Sequence, residues 1–215
     1  MDGLVNARAV RGIADADRTL DARLRGLTGA AAAERAARLS LVLTDCDGVL
    51  TDGSVFCSAD GEALLRFSRR DGMAVERLRA AGLETAIVTR ERSPIVARRA
   101  EKLGVHVYAG IRDKRDWLLG WLVEQDPRWN QGNEALASLA YIGDDVNDLG
   151  LCAAVAPHGL TGAPADAEPV VRGDDSVHFV GARPGGAGAF REFADFLIGL
   201  RGVWGERVAT ERRTP

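Results

Sequence analysis

The sequence has little cysteine and little histidine. Its 215 residues include three of each, and Cys46, Cys57 and Cys152 show no Cys-x-x-Cys spacing. An odd number of widely spaced cysteines indicates neither a disulfide framework nor a zinc site. We therefore expect all three cysteines to be buried packing residues, and we interpret the histidines, which lack metal-like spacing, as structural or exposed.

Long apolar runs and an excess of basic residues are also missing. Nothing approaches the roughly 20 apolar residues that span a bilayer, and residues 1–40 contain no apolar core of the kind a signal peptide needs. The 28 Lys and Arg are outnumbered by 31 Asp and Glu, whereas a nucleic-acid binder needs a basic face. We expect a cytoplasmic enzyme with one main domain that acts on a small molecule and binds neither nucleic acid nor membrane.

Strand-like and helix-like segments alternate along most of the chain. Short apolar runs, beginning with Leu41 to Leu43, predict buried strands, and the amphipathic segments between them predict helices. Such alternation favours right-handed crossovers and a parallel sheet with helices on both faces. The sequence therefore predicts an α/β fold, a Rossmann-like three-layer sandwich around a parallel central sheet.

Turn and capping residues set the expected boundaries. An Asp60-Gly61 pair between two short apolar runs predicts a small β-hairpin flap over about 54–68. We divide the chain into an N-terminal helical extension (1–39), the main domain (40–200) and a C-terminal tail (201–215). Outside the flap we expect strands at Glu84 to Thr89, Val105 to Tyr108, Leu139 to Gly143 and Pro169 to Arg172, and helices at Ala22 to Leu27, Ala30 to Leu39, Gly72 to Ala81, Ser93 to Lys102, Asp113 to Glu124 and Ala187 to Leu200.

Acidic residues follow two of the predicted strands. Asp45 and Asp47 come after the first strand, and Asp144 and Asp145 come after the strand that starts at Leu139. The carboxyl ends of parallel strands share one edge, where ligands bind, so these carboxylates converge. Two unit charges ~4 Å apart repel by about 4 kcal/mol at an effective dielectric of about 20, and the site therefore requires a cation. An oxygen-only ligand set favours Mg²⁺ over zinc.

Several segments, in this order, resemble the motifs of the haloacid dehalogenase superfamily. Within that superfamily, the chain most resembles the small-cap branch that contains 3-deoxy-octulosonate 8-phosphate phosphatases and nonulosonate 9-phosphate phosphatases. The resemblance runs from about Leu41 to Gly199. The matching segments are Asp45-Cys46-Asp47-Gly48-Val49-Leu50-Thr51-Asp52-Gly53, Arg70-Asp71-Gly72, Thr89, Lys114, Gly143-Asp144-Asp145-Val146-Asn147-Asp148 and Gly185 to Glu192.

The resemblance implies a phosphatase that works through an aspartyl phosphate. Asp45 would be the nucleophile and Asp47 the general acid and base. Thr89 and Lys114 would bind the phosphoryl oxygens, and an ion pair to Asp148 would hold Lys114 in place. Taken alone, an Asp-Gly pair is ordinary turn chemistry, Thr89 suits a cap and Lys114 suits a solvated helix face.

The same resemblance implies the ligands of the cofactor Mg²⁺. They would be Asp45, the main-chain carbonyl of Asp47, and Asp144. Asp145 would act through water or by orienting the direct ligands.

The expected substrate is inferred from the second of the family motifs, which begins at Thr89. Octulosonate phosphatases carry Thr-Gly-Arg there, whereas this chain has Thr89-Arg90-Glu91, and nothing in the sequence explains Arg90. The stretch from Thr89 to Lys102 is more similar to nonulosonate 9-phosphate phosphatases, in which the residues that match Glu91 and Lys102 contact the sugar acid. Arg70 and Asp71 are further substrate-binding candidates by resemblance. The expected substrate is a nonulosonate 9-phosphate, a phosphorylated keto sugar acid.

Other functions stay open. They are an octulosonate 8-phosphate phosphatase, a phosphatase for another sugar or nucleoside phosphate, and a non-catalytic oligomerisation module like those attached to sialate cytidylyltransferases. The presence of Asp45, Asp47, Lys114 and Asp144 favours an enzyme over the module. The resemblance also implies a homotetramer, in which a neighbouring protomer helps to close each site because the flap is small.

Overall fold

A computed structural model describes residues 23–125 and 133–211. Its main sheet has six strands in the order β5-β4-β1-β6-β7-β8, and every neighbouring pair is parallel. The chain winds outward in both directions from β1, so the carboxyl end of β1 lies at a switch in strand order, where such sheets bind ligands. The strands are β1 (Leu41–Thr44), β4 (Glu84–Thr89), β5 (His106–Ala109), β6 (Leu139–Ile142), β7 (Leu160–Ala163) and β8 (Phe179–Val180).

Helices cover both faces of the sheet and complete the predicted three-layer sandwich. Successive strand residues point to opposite faces, so Val42 packs into one core with α1, α2 and α8, and Leu43 packs into the other with α4 and α6. The helices are α1 (Gly29–Arg38), α2 (Arg69–Ala80), α3 (Pro94–Leu103), α4 (Lys114–Gln125), α5 (Asn133–Ala137), α6 (Val146–Val155), α7 (Pro169–Gly173) and α8 (Ala189–Glu211).

The predicted hairpin flap is present and projects from the domain. It consists of β2 (Phe56–Ser58) and β3 (Gly61–Leu64), which pair antiparallel. All seven strand residues are exposed, and this corrects the expectation that every cysteine is buried. Cys46 and Cys152 are buried, but Cys57 is exposed on β2 because a two-stranded flap has no core of its own.

Two other local predictions are wrong. The segment predicted as a strand at Pro169 to Arg172 is helix α7, because proline suits the first turn of a helix, where its missing N–H is not needed. The helix expected from Ala22 to Leu27 does not form over the residues described there, where Leu24 instead makes an isolated antiparallel bridge with Phe179. Pairing with a distant residue overrides local helix propensity here.

The structure describes only part of the predicted N-terminal extension and of the predicted C-terminal tail. Residues 1–22 and 212–215 lie outside the described part of the chain, and the division itself stays a prediction. Helix α1 packs on α8, with Ala32 and Ala36 fully buried in the core. Among the described residues, no helix is both long enough and apolar enough to cross a bilayer.

Candidate active site

Asp45 lies at the carboxyl end of β1, at the centre of the predicted site. Its backbone N–H donates to the carbonyl of Ile142, and its Oδ1 accepts from the backbone N–H of Cys46 at 2.7 Å. Its Oδ2 lies 2.8 Å from Lys114 Nζ. Burial raises the pKa of Asp45 to about 7, and this effect is reinforced by the charge of Asp148 and opposed by Lys114. The carboxylate is therefore fixed in orientation and depends on nearby cations for its charge.

Lys114, the first residue of α4, lies between two carboxylates. Its ammonium contacts Asp45 at 2.8 Å and Asp148 at 2.5 Å, and its side chain is fully buried. Burial alone lowers the pKa of Lys114, but the two carboxylates outweigh it and raise the pKa above its usual value. The pair with Asp148 is the one expected by resemblance, and the geometry also brings Lys114 to Asp45.

Asp148 holds the loop after β6 together. Its Oδ1 accepts from Lys114 and from the Tyr141 hydroxyl at 2.6 Å. Its Oδ2 accepts from the backbone N–H groups of Asp144 and Asp145 at 2.8 and 3.1 Å. Although its carboxylate lies within 4.8 Å of those of Asp45 and Asp144, these four bonds occupy its acceptor positions. Asp148 therefore positions its neighbours and is a poor candidate for a metal ligand.

Asp144 follows β6 and has the opposite character. Its Oδ1 is buried and has no hydrogen-bond partner among the described residues. Burial raises the pKa of Asp144 to about 8, and the charges of Asp45 and Asp148 raise it further against the effect of Lys114. A buried carboxylate oxygen without a donor is costly, so Asp144 has an acceptor position available for a cation.

Gly48 makes the space for Asp144. It has a φ of +85°, and a Cβ at this position would overlap the Asp144 carboxylate. Only glycine adopts this backbone conformation without cost and also leaves room for the side chain opposite.

A divalent cation fits this arrangement. The carboxylates of Asp45 and Asp144 converge within 4.8 Å, and both supply the hard oxygen donors that such cations prefer. The unpartnered Oδ1 of Asp144 and the raised pKa of both groups are the features that a bound cation would relieve.

Asp47 lies on the open side of the cluster and is half-buried. Its Oδ1 accepts from the Thr51 hydroxyl at 3.4 Å and its Oδ2 from the Thr89 hydroxyl at 3.5 Å. Burial raises the pKa of Asp47, and the charge of Glu62 on the flap adds to this effect. Glu62 also accepts a hydrogen bond from the Ser93 hydroxyl, which links the flap to the start of α3. A carboxyl group with a raised pKa suits both donating and accepting protons.

Asp145 and Asp71 act as helix caps in this structure. Asp145 is exposed and is the N-cap of α6, where its Oδ1 accepts from the N–H of Val146 at 2.6 Å. Asp71 is buried and accepts from the N–H groups of Gly188 and Arg191 at 3.2 and 2.8 Å. Both bonds lie at the start of α8. The roles predicted for Asp145 near the metal and for Asp71 at the substrate stay predictions.

The other predicted substrate residues lie in three places. Glu91 lies beside Thr89, and its backbone N–H donates to the Thr89 hydroxyl at 3.2 Å. Arg70 is exposed at the start of α2, where it lines a cavity with Arg183 and Arg191. Lys102 is exposed in the last turn of α3, ~12 Å along the helix from its start. Within one chain, the fold places Glu91 beside Thr89 of the candidate site and leaves Lys102 at the opposite end of α3.

Sequence reasoning missed two supports of the site. Tyr141, fully buried on β6, donates to Asp148, and its signal was a hydroxyl on an otherwise apolar strand three residues before Asp144. Gly185 packs so tightly that a Cβ there would overlap the Gly48 carbonyl. The glycines of 185–188 were noted by resemblance, but only the fold shows that this loop supports the loop after β1.

Comparisons with known proteins identify relatives of this chain. No protein-family model matches the chain. It is 35% identical over 173 residues to the 3-deoxy-D-manno-octulosonate 8-phosphate phosphatase of Yersinia pestis, covering 77% of this chain and 82% of that protein.

Solved structures give the same result. The cobalt-bound octulosonate 8-phosphate phosphatase of Haemophilus influenzae is 34% identical, with a TM-score of 0.68 over 78% of this chain and 92% of that one. The Moraxella catarrhalis enzyme, solved with magnesium, phosphate and KDO, is 28% identical, with a TM-score of 0.67 over 83% and 96%. Together with the carboxylate cluster, these similarities show that the chain belongs to the haloacid dehalogenase superfamily of phosphatases, in the branch of the 3-deoxy-D-manno-octulosonate 8-phosphate phosphatases.

Proposed function

We propose that this protein is a Mg²⁺-dependent phosphatase that hydrolyses a phosphorylated keto sugar acid through an aspartyl phosphate on Asp45. One observation carries the proposal. The Asp45 carboxylate is fixed by the Cys46 N–H and by Lys114, next to a carboxylate, Asp144, that has an unpartnered buried oxygen. A nucleophile held in one orientation beside a cation site is what in-line attack on phosphorus requires.

The proposed chemistry has two steps. An oxygen of Asp45 attacks phosphorus while the bond to the ester oxygen breaks, and Asp47 gives its proton to the departing alkoxide. Water then attacks the same phosphorus, Asp47 takes its proton, and phosphate leaves with Asp45 regenerated. The raised pKa of Asp47 supports its role as the acid in the first step.

The remaining site residues bind and orient the phosphoryl group. Lys114 and the Thr89 hydroxyl supply donors for its oxygens, with Lys114 held by Asp148. Asp45, the main-chain carbonyl of Asp47, and Asp144 are the proposed ligands of Mg²⁺. When bound, the ion supplies positive charge that neutralises the phosphate and the carboxylates around it.

Two substrates are supported by different observations. Glu91, whose backbone N–H donates to the Thr89 hydroxyl, supports the nonulosonate 9-phosphate that we predict from the sequence. The similarity to octulosonate 8-phosphate phosphatases supports the eight-carbon acid as the second candidate. Both are keto sugar acids with a terminal phosphate, so the reaction is the same.

The test is phosphate release from a nonulosonate 9-phosphate, from octulosonate 8-phosphate and from simple sugar phosphates, with Mg²⁺ and with EDTA. We expect turnover of a sugar acid phosphate that is lost in EDTA and in Asp45→Asn, which keeps the size of the side chain and removes its charge. Asp116→Asn, at an exposed acid on α4, serves as the matched control and should keep full activity. Absence of turnover with every ester would reject the enzyme in favour of the oligomerisation module.

A further inference from the structure

A cavity of about 480 Å³ opens at the carboxyl ends of β4 and β5. It lies between the loop that follows Thr89 and the loop that precedes Lys114. Its lining is formed by Arg90, Glu91, Arg92, Gly110 and Arg112.

The cavity is joined to the proposed phosphate site on both sides. Arg90 directly follows Thr89, whose hydroxyl lies 3.5 Å from Asp47. On the other side, the N–H of Ile111 donates to the Thr89 carbonyl at 3.0 Å, and Arg112 lies two residues before Lys114. A phosphate bound by Thr89 and Lys114 would therefore have the rest of its ester next to this cavity.

The cavity has an excess of positive charge. Three arginines face one glutamate, and none of the three has an ion-pair partner among the residues that the structure describes. Arginines without internal carboxylate partners are available to an external anion. The guanidinium is a planar fork that matches a carboxylate in bidentate geometry.

Gly110 sets the position of one of these arginines. It has a φ of +80°, and a Cβ there would lie within 2.7 Å of the Arg92 guanidinium. The absence of a side chain at Gly110 therefore lets the Arg92 guanidinium lie against the backbone of the opposite loop. The loop that follows β4 and the loop that follows β5 are thus in contact at the cavity, through Arg92 of the first and Gly110 of the second.

We propose that Arg90, Arg92 and Arg112 bind the carboxylate of the substrate and make this enzyme selective for phosphate esters whose alcohol part is an acid. This inference rests on the proposed function and names the residues that set its specificity. The proposal gives a role to Arg90, which nothing in the sequence explains. It also makes these arginines, and not Lys102, the partners of the substrate carboxylate within one chain, because Lys102 lies at the far end of α3.

The test compares pairs of substrates that differ in whether the carboxyl group of the sugar acid is charged. They are octulosonate 8-phosphate and an N-acylneuraminate 9-phosphate, each assayed beside its carboxyl methyl ester, with p-nitrophenyl phosphate as a small neutral-alcohol ester. We expect Arg112→Gln and Arg90→Gly each to raise KM for the acid at least about tenfold, the effect of losing a charge-assisted hydrogen bond. The kcat/KM for the methyl ester and for p-nitrophenyl phosphate should change less than about twofold.

The matched control is Arg98→Gln, which removes an arginine from the exposed face of α3 where it pairs with Glu101, and it should behave as wild type. Calorimetric titration of the unphosphorylated sugar acid into wild type and Arg112→Gln gives a second measurement that does not depend on turnover. Equal losses for the acid and its methyl ester, or unchanged binding of the sugar acid, would overturn the assignment while leaving the phosphatase in place. If wild type hydrolyses none of the esters, the proposed function itself fails.

Discussion

Gly48 decides whether the carboxylates after β1 and β6 fit together. A Cβ at Gly48 would overlap the Asp144 carboxylate, and Asp144 is a proposed metal ligand with an unpartnered buried oxygen. Displacing it by about 1 Å would disturb the proposed cation and phosphoryl sites together, and misplacement of this size costs about 100-fold in rate.

We therefore expect Gly48→Ala to lower kcat/KM at least about 100-fold and to weaken Mg²⁺ binding, measured by steady-state kinetics and calorimetry. Gly53→Ala is the matched control, because Gly53 also has a positive φ, of +74°, but a Cβ there meets only Gly48 at an ordinary 3.8 Å. That variant should lose about 1–2 kcal/mol of stability from its backbone conformation and keep its activity. Equal activity losses in both variants would show that backbone strain, and not Asp144, is responsible.

The two acids next to one another after β6 illustrate how neighbours divide their roles. The Asp144 carboxylate lies within 4.8 Å of that of Asp45, whereas Asp145 caps α6. Asp148, one turn further on, binds the N–H groups of both. The acids of this motif therefore differ in their contacts, since Asp145 caps the helix, Asp148 positions the loop, and Asp144 is left as the candidate metal ligand.

At the scale of elements, Asp71 joins α2 to the start of α8. Its carboxylate accepts from two backbone N–H groups there, and an acidic group also interacts favourably with a helix N-terminus. Helix α8 begins directly after the loop 185–188 that supports Gly48. Asp71 therefore contributes to the site through the element it anchors.

We expect Asp71→Ala to lower the free energy of unfolding by about 1–2 kcal/mol, the usual cost of a lost cap, measured by urea denaturation. Asp195→Ala is the matched control on the same helix, where the carboxylate pairs with Arg77 and Arg191 at the surface, and it should cost less than about 1 kcal/mol. The substrate-binding role predicted by resemblance makes a different prediction, namely a raised KM at unchanged stability, and that result would contradict the capping role.

For the molecule as a whole, His178 is a buried titratable group at the amino end of β8, whereas the candidate site lies at the carboxyl ends of the strands. It is 5% exposed, and its Nδ1 accepts from the N–H of Thr161 at 3.3 Å. Burial lowers its pKa from 6.5 to about 4, and the charge of Arg35 on α1 adds to this shift. The folded protein therefore favours the neutral imidazole.

The lowered pKa of His178 makes the folded protein less stable as the pH falls. Above pH 6.5 the imidazole is neutral in both states and its contribution is fully present. As the pH falls from 6.5 towards about 4, the unfolded chain binds the proton first and stability is lost, at up to about 1.4 kcal/mol per pH unit.

The prediction is that His178→Gln removes this component, so the difference in unfolding free energy between wild type and variant changes across that window. Urea denaturation of both proteins at a series of pH values measures the difference, and the other titrating groups cancel in it. A difference independent of pH would show that His178 does not titrate as its burial indicates.

The sequence alone was sufficient for the fold class and for the motif positions. Alternating apolar runs gave the parallel sheet and the hairpin, because both depend on local periodicity and turn residues. It did not predict β7, the two-residue strand β8, or the helix at Pro169–Gly173, because brief apolar runs look alike in strands and helices.

The sequence also determined which residues are candidates for catalysis, since Asp45, Asp47, Lys114 and Asp144 follow strand ends that a parallel sheet must bring to one edge. Only the tertiary structure decided how these candidates contact one another. The occupied acceptors of Asp148, the free oxygen of Asp144 opposite Gly48, and the arginines from two loops around one cavity depend on distances between residues far apart in the chain. Such distances are set by packing of the whole domain, and no local pattern contains them.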